Sequence, residues 1–206
     1  MRLRYVLAAV VLAAVAASAK AQIGVYVNPV FTRISNSTPD TGVFAFLGNG
    51  ATSRTFGGVD FGGYYNVSRG PGMKFGVDLR DTTVHSNNAA LNVFSVGARI
   101  ESAPLTHGIR AYGQIAAGAA TSKAQQTQVH TTRGMFGVFG GIDYPLGRRV
   151  DFRIVELGYG GVTTQNSYIY GGPIPIGTSR MVQVSSGLVF RFLVPGGPKK
   201  EKKASY

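Results

Sequence analysis

Cysteine is absent from this 206-residue sequence, and only three histidines are present, at positions 85, 107 and 130. Without cysteine no disulfide can stabilise the fold, so the chain must hold itself together by other means. Three scattered histidines without a cysteine also make a zinc site improbable. We therefore expect neither a metal site nor a cofactor.

Long apolar runs are equally scarce. Residues 1–21, MRLRYVLAAVVLAAVAASAKA, contain a basic leader, an apolar core and the small-x-small sequence Ala19-Lys20-Ala21. This pattern predicts a secretory signal peptide that is cleaved before Gln22. The alternative is a retained signal anchor, but an apolar run of about 15 residues is short of the roughly 20 that a spanning helix needs. No later run approaches 18 residues, so we expect an exported chain without a transmembrane helix.

Glycine and aromatic residues, by contrast, are abundant: 29 Gly, 12 Phe and 10 Tyr. This composition favours a closely packed all-β protein. Hydrophobicity alternates with a period of two, and no segment carries a convincing amphipathic-helix pattern. The alternation predicts eight strands, at residues 22–35, 55–68, 73–86, 89–102, 109–123, 133–146, 150–164 and 179–192.

The connections between these strands alternate in length. Short links rich in turn formers occupy residues 69–72, 103–108 and 147–149. Longer polar links alternate with them, at residues 36–54, around 87–88, at 124–132 and at 165–178, although the link at 87–88 is a weak member of this set. The pattern predicts an up-and-down meander whose two ends face different surroundings.

The two faces of the predicted strands differ in an unusual way. In residues 73–80, MKFGVDLR, one face carries Met, Phe, Val and Leu, and the other carries Lys, Gly, Asp and Arg. Glycine is a poor choice for a solvent-facing strand because it weakens the strand and packs against nothing. Inside a narrow barrel, however, it leaves room for long side chains. We therefore predict that the bulky apolar face meets lipid and that the polar face lines a lumen.

Two segments resemble a known family. Residues 136–160, FGVFGGIDYPLGRRVDFRIVELGYG, resemble the Gly-rich strand, short periplasmic turn and Arg-containing strand of the OmpA-like eight-stranded outer-membrane β-barrels. Residues 185–192, SSGLVFRF, resemble the terminal strand of that family. The resemblance implies a closed antiparallel eight-stranded up-and-down transmembrane β-barrel over residues 22–192, in a bacterial outer membrane with both termini in the periplasm. It also implies that Gly187, Phe190 and Phe192 are read by the outer-membrane assembly machinery.

The sequence departs from this pattern in residues 193–206, which are too few to form a domain. Pro195 and Pro198 stop any continuation of the last strand, and KKEKK is typical of a solvated basic run. We expect an unstructured periplasmic tail. Two interpretations of it stay open, namely contact with anionic peptidoglycan and a free solvated end.

With the apolar face outward, ten charged side chains are predicted to face the lumen. They are Asp60, Lys74, Asp78, Arg80, Arg99, Arg110, Asp143, Arg153, Glu156 and Arg191. Arg153 and Glu156 can both face inward only if a β-bulge lies near Ile154-Val155. The lumen of an eight-stranded barrel is just wide enough for its own side chains, so six bases and four acids should form a paired plug with an excess of base. The alternative is a gated ion path.

Five bases near the long-loop ends of the strands form a second candidate site, for the phosphates of lipopolysaccharide, because the planar fork of arginine binds phosphate well. They are Arg33, Arg54, Lys123, Arg133 and Arg180. The alternative is that these bases only keep the loop ends soluble.

Tyr168 and Tyr170 make the fourth long loop a candidate surface for protein or glycan. Much of the net charge of +12 lies in the signal peptide and tail, and with no recognisable binding module we expect no nucleic-acid partner.

A catalytic site is not expected. His85 and Ser86 resemble the His and Ser of lipid A deacylases, but adjacent residues of a strand point to opposite faces. The sequence therefore predicts a structural or interaction role, in envelope integrity or in loop-mediated adhesion or recognition. Two alternatives stay open: a lipid A-modifying enzyme, and a small solute or ion channel.

Overall fold

The structure is a computed structural model that describes residues 22–70, 72–162 and 178–192. The predicted signal peptide, the fourth long loop with Tyr168 and Tyr170, and the basic tail lie outside these described residues. Within them, no helix has the length and apolar character needed to cross a membrane.

Eight strands follow one another along the chain. They are β1 (Gln22–Ser35), β2 (Ser53–Gly70), β3 (Met73–Ser86), β4 (Ala89–Ser102), β5 (Arg110–Lys123), β6 (His130–Pro145), β7 (Val150–Val162) and β8 (Ser179–Phe192). Each pairs antiparallel with its sequence neighbour, and β8 pairs with β1 to close the sheet. A 3₁₀ turn, Thr106–Gly108, connects β4 to β5. The predicted closed antiparallel up-and-down barrel of eight strands is confirmed.

Two strands are longer than the alternation predicts. β2 begins at Ser53 because Ser53 pairs with Ser35 of β1, which extends the ladder into a segment that the sequence suggested was loop. Likewise β6 begins at His130, which pairs with Lys123 of β5. The end of each of these strands is set by pairing with the neighbouring strand, and the local alternation of hydrophobicity does not reveal where that pairing stops.

The connection between β3 and β4 is a tight hairpin and not a longer link. Asn87 and Asn88 both adopt left-handed backbone conformations, with φ of 42° and 64°. Asparagine tolerates this region better than most residues, and two such residues in succession form the turn that suits a twisted hairpin. The grouping of residues 87–88 with the longer links was therefore wrong.

The barrel presents its apolar side chains outward. Phe61, Phe75 and Phe190 are 49%, 45% and 40% exposed on the outer face, whereas Asp78 is fully buried and Arg191 is 7% exposed. A soluble barrel would show the reverse arrangement, because burial of apolar surface away from water drives its folding. The predicted inversion, with apolar residues outside and charges inside, is confirmed.

The predicted β-bulge is also present. The register of β7 with β8 shifts between Arg153 and Glu156, and the register of β6 with β7 shifts between Ile142 and Asp143. An extra residue at Ile154-Val155 therefore brings Arg153 and Glu156 to the same inner face, where both are buried.

The lumen itself has two different halves. The end with the connections at residues 103–109 and 146–149, here called the short-turn end, contains the charged side chains. The opposite end, here called the long-loop end, is lined by apolar side chains, which include Val30, Ile34, Phe56, Val84, Leu91, Val93, Met135 and Met181. The charged side chains are therefore confined to the short-turn half, whereas the inner polar residues of the long-loop half are uncharged, among them Thr32, Ser122 and Ser179.

Candidate functional site

A bidentate ion pair lies at the centre of the lumen. Arg80 donates from Nη1 and Nη2 to the two carboxylate oxygens of Glu156, at 2.6 and 2.8 Å. Glu156 also accepts hydrogen bonds from Arg153 Nη1 at 3.2 Å, from Ser185 Oγ at 3.3 Å and from the Tyr112 hydroxyl. Two parallel charge-assisted bonds with further donors satisfy this buried carboxylate.

Aromatic rings stack on the guanidinium groups of the lumen. Arg80 lies over Phe139 at 4.4 Å from the ring centroid, and Arg99 is sandwiched between Tyr64 at 4.4 Å and Tyr112 at 3.6 Å. A cation over an aromatic face is stabilised by the ring quadrupole, more strongly when water is excluded. These contacts help to accommodate buried guanidinium groups in the lumen.

Inward-facing glycines make room for these rings. A Cβ atom at Gly24 would overlap the ring of Tyr64, and one at Gly141 would lie 2.5 Å from the Tyr112 hydroxyl. Side chains at either position would displace a tyrosine that flanks the Arg99 guanidinium group. The glycines of the inner face therefore serve the packing of the lumen.

Two acidic residues of the lumen, Glu101 and Asp151, were not predicted from the sequence. Glu101 accepts from Lys74 Nζ at 2.8 Å, and Asp151 pairs with Arg110 at 2.5 Å and with Arg191 at 2.7 Å. Both could have been identified, because each lies two residues from an inward arginine and so shares its face.

All ten predicted lumen charges lie on the inner face, together with Glu101 and Asp151. The set comprises six bases, Lys74, Arg80, Arg99, Arg110, Arg153 and Arg191, and six acids, Asp60, Asp78, Glu101, Asp143, Asp151 and Glu156. The expected excess of base was therefore wrong, and the lumen is formally neutral. We call this set the lumen plug. Among the described residues, no group of three or more His, Asp or Glu is arranged to hold a metal ion.

The loop between β1 and β2, residues 36–52 and here called loop 1, closes the long-loop end. Phe46 stacks on Phe56 with ring centroids 5.0 Å apart, and Leu47 is buried beside it. Asp40 fixes the loop: its carboxylate accepts from the Leu47 backbone N–H and from Asn36 Nδ2, both at 2.8 Å. Burial raises the pKa of Asp40 above its ordinary value, while these hydrogen bonds act in the opposite direction.

Replacing Asp40 by alanine should open loop 1, because the buried N–H of Leu47 would lose its acceptor. We expect amide exchange within residues 40–51 to accelerate about tenfold, the equivalent of roughly 1–2 kcal/mol of local stability. Hydrogen exchange in detergent or lipid checks this result. Asn49→Ala is the matched control, because the bond that its side chain accepts from the Gly42 N–H is long, at 3.4 Å, and exposed. Equal exchange in the two variants would contradict this role for Asp40.

Arg54 contributes to the same closure. It lies over the mouth and donates to Ser86 Oγ, to the Phe46 carbonyl and to Gln125 Oε1, at 3.3, 3.4 and 3.3 Å. These contacts tie loop 1 to β3 and to the β5–β6 connection. Arg54 therefore faces protein, which differs from the expected position against lipid phosphate.

The other four rim bases do not form one patch. Arg33 and Arg180 are exposed on the outer face, on the neighbouring strands β1 and β8. Lys123 lies at the end of β5, and Arg133 is exposed although it shares its strand face with buried Met135. The structure thus brings Arg33 and Arg180 together and leaves the others apart.

His85 and Ser86 lie on opposite faces of β3. His85 is exposed on the outer face, while Ser86 is partly buried and accepts a hydrogen bond from Arg54. Asp81 lies on the outer face and accepts from Asn92 Nδ2 at 2.7 Å. This geometry separates the His85 imidazole from the Ser86 hydroxyl, so His85 is not placed to act as its general base.

The seam between β8 and β1 contains the predicted assembly signal. Phe190 and Phe192 are exposed on the outer face, and Phe192 pairs with Ile23. Gly187 lies against the carbonyl of Val27 and the side chain of Asn28, where a Cβ atom would overlap both. The absence of a side chain at this position lets the two strands approach.

The fold is that of the eight-stranded outer-membrane β-barrels. Neisserial surface protein A has a TM-score of 0.55 at 15% identity, covering 82% of this chain and 97% of that chain. Ail, the attachment invasion locus protein of Yersinia pestis, has a TM-score of 0.51 at 9% identity, covering 84% and 99%.

Comparison of the sequence with known proteins does not assign the chain to a family. No protein-family model matches the sequence, and no curated protein matches it. At such low identity the likeness to solved structures is one of fold, and the OmpA-like resemblance stays an interpretation of the sequence.

Proposed function

We propose that this chain is a bacterial outer-membrane barrel with a structural or interaction role, not a catalytic one. The observation that carries the proposal is the lumen plug, in which six acids and six bases fill the short-turn half while loop 1 covers the other end. With the inside occupied, the surfaces left for interaction are the apolar outer face, the rim and the loops.

The proposed arrangement in the membrane follows from the ends of the barrel strands. β1 begins and β8 ends at the short-turn end, so the first and last strands have their outer ends on one side of the barrel, which we assign to the periplasm together with both termini. The signal peptide, residues 1–21, is then removed during export, and residues 193–206 form a periplasmic tail available to peptidoglycan. The exposed Phe190 and Phe192, with Gly187 at the seam, support recognition by the assembly machinery.

Fractionation tests the membrane assignment. The full-length protein should appear in the outer-membrane fraction and should migrate differently on a detergent gel before and after boiling, because a closed barrel resists the detergent until heated. A protein found in the soluble periplasmic fraction, with no change in migration on boiling, would refute the proposal.

The lumen plug also predicts that the barrel does not conduct ions. An ion that crossed the lumen would have to separate Arg80 from Glu156 in a region of low dielectric, where the pair is bonded at 2.6 Å. We expect purified barrels inserted in planar bilayers to show no discrete conductance steps. Regular steps in the wild-type protein would favour a channel.

The alternative that the chain is a lipid A-modifying enzyme is tested by the mass of lipid A. If the chain modified lipid A, its expression would change the mass of that lipid. We expect an unchanged lipid A mass spectrum, because Ser86 faces Arg54 and His85 faces the opposite side.

A further inference from the structure

A polar pocket lies at the rim of the seam between β1 and β8. It has a volume of about 260 Å³ and is lined by Ser35, Asn36, Ser37, Thr178 and Arg180. Ser35 and Arg180 are register partners, so the pocket is held by the last residues of two strands that close the barrel. Its lining therefore combines one guanidinium group with three hydroxyl groups.

The electrostatics of this seam pocket favour an anion. None of its lining residues is acidic, and no ion pair to Arg180 is formed within the described parts of the chain. The acid closest in sequence, Asp40, is buried and engaged with Asn36 and Leu47. Arg33 adds a second positive charge on the adjacent strand, where Ser53 Oγ accepts from it at 2.9 Å.

The height of the pocket on the barrel indicates where that anion comes from. Arg33 pairs with Val182, and the outward residues next along the two strands, Phe31 and Val184, are 66% and 44% exposed. Val182 is itself 45% exposed, so the apolar outer face of this seam ends between the level of Arg33 and that of Arg180. In a bilayer this boundary coincides with the head-group layer.

We propose that the seam pocket binds a phosphate group of an anionic membrane glycolipid, with the Arg180 guanidinium as the principal donor and Arg33 as a second positive charge. The planar fork of arginine matches two phosphate oxygens, and the Ser35, Ser37 and Thr178 hydroxyls are additional donors. This inference rests on the proposed function, which places the long-loop end in the outer leaflet. The lipid chemistry that fits is the phosphorylated disaccharide of lipid A.

Binding of lipopolysaccharide to the purified, folded barrel tests this inference. In detergent, Arg180→Glu should weaken binding about tenfold or more, since a hydrogen bond to a charged group is lost and a repulsion is introduced. Arg33→Glu should weaken it less, because Arg33 lies beside the pocket. Arg148→Glu is the matched control: it is exposed in the β6–β7 turn at the other end of the barrel and changes the net charge equally.

Dephosphorylated lipid A and inorganic phosphate separate the possible ligands. The wild-type protein should prefer phosphorylated to dephosphorylated lipid A about tenfold, and Arg180→Glu should abolish that preference. Equal affinity of Arg180→Glu and Arg148→Glu for lipopolysaccharide would overturn the site. Retention of inorganic phosphate without any preference for lipid A would overturn the lipid as its source. Because heat-modifiable migration is measured separately on each variant, a failure to bind is distinguishable from a failure to form the barrel.

Discussion

Replacing Glu156 by alanine is expected to lower the free energy of unfolding of the barrel by about 3–5 kcal/mol. The substitution removes the partner that holds both terminal nitrogens of Arg80, and it also removes an acceptor of Arg153 and of Tyr112. Arg80 would then remain charged and buried without its closest anion. Urea titration in lipid vesicles, followed by the heat-dependent gel shift, measures the loss.

Two further variants distinguish this effect from a general loss of charge. Arg148→Ala removes an exposed charge in a turn and should change stability by less than about 0.5 kcal/mol. The double variant Arg80→Met, Glu156→Met should not restore wild-type stability, because it leaves buried Asp60 and Asp78 without the guanidinium group that lies 3.6 and 3.9 Å from them. Arg153 would keep Asp143, to which it donates at 3.0 Å. A single Glu156→Ala variant as stable as Arg148→Ala would show that the central pair does not stabilise the barrel.

Replacing Gly187 by valine is expected to impair closure of the barrel more than any substitution at the rim. The new Cβ would overlap the Val27 carbonyl and the Asn28 side chain, and since the carbonyl belongs to the main chain it cannot rotate away. The cost should therefore be at least about 3 kcal/mol, at the upper end of the range for overpacking. We expect a much reduced yield of the fast-migrating folded form after refolding into detergent.

Gly134→Val is the matched control for this experiment. Gly134 also lies within a strand, but a Cβ there would meet nothing within 4 Å. Because glycine weakens a strand interior, valine at this position should be neutral or slightly stabilising. Similar folding yields for the two valine variants would show that close approach at the seam is not required.

The strands and their faces could be read from the sequence because both follow from a period of two. The inversion of that pattern, with Phe75 on one face and Asp78 on the other, was sufficient to assign lipid to the apolar side. Even the bulge in β7 could be inferred, since Arg153 and Glu156 share a face only if one residue is inserted between them. These features are local, and they are encoded within single strands.

The features that were missed depend on contacts between distant segments. Loop 1 enters the mouth because Phe46 packs on Phe56 and Asp40 binds Leu47, and no periodicity marks such a loop. Loop 1 also explains why the inner face becomes apolar around Ile34, where the lumen is covered by protein. The omission of Glu101 and Asp151 was different in kind, because simple alternation from Arg99 and Arg153 would have placed both inside.

The neutrality of the lumen plug determines how the barrel responds to an electric field. A potential of 100 mV across a membrane is worth about 2.3 kcal/mol for each elementary charge that moves through it. With six positive and six negative side chains inside, displacement of the plug as a unit transfers no net charge. A voltage across the membrane therefore does no net work on the plug as a unit, and we expect its ion pairs to stay closed at either polarity.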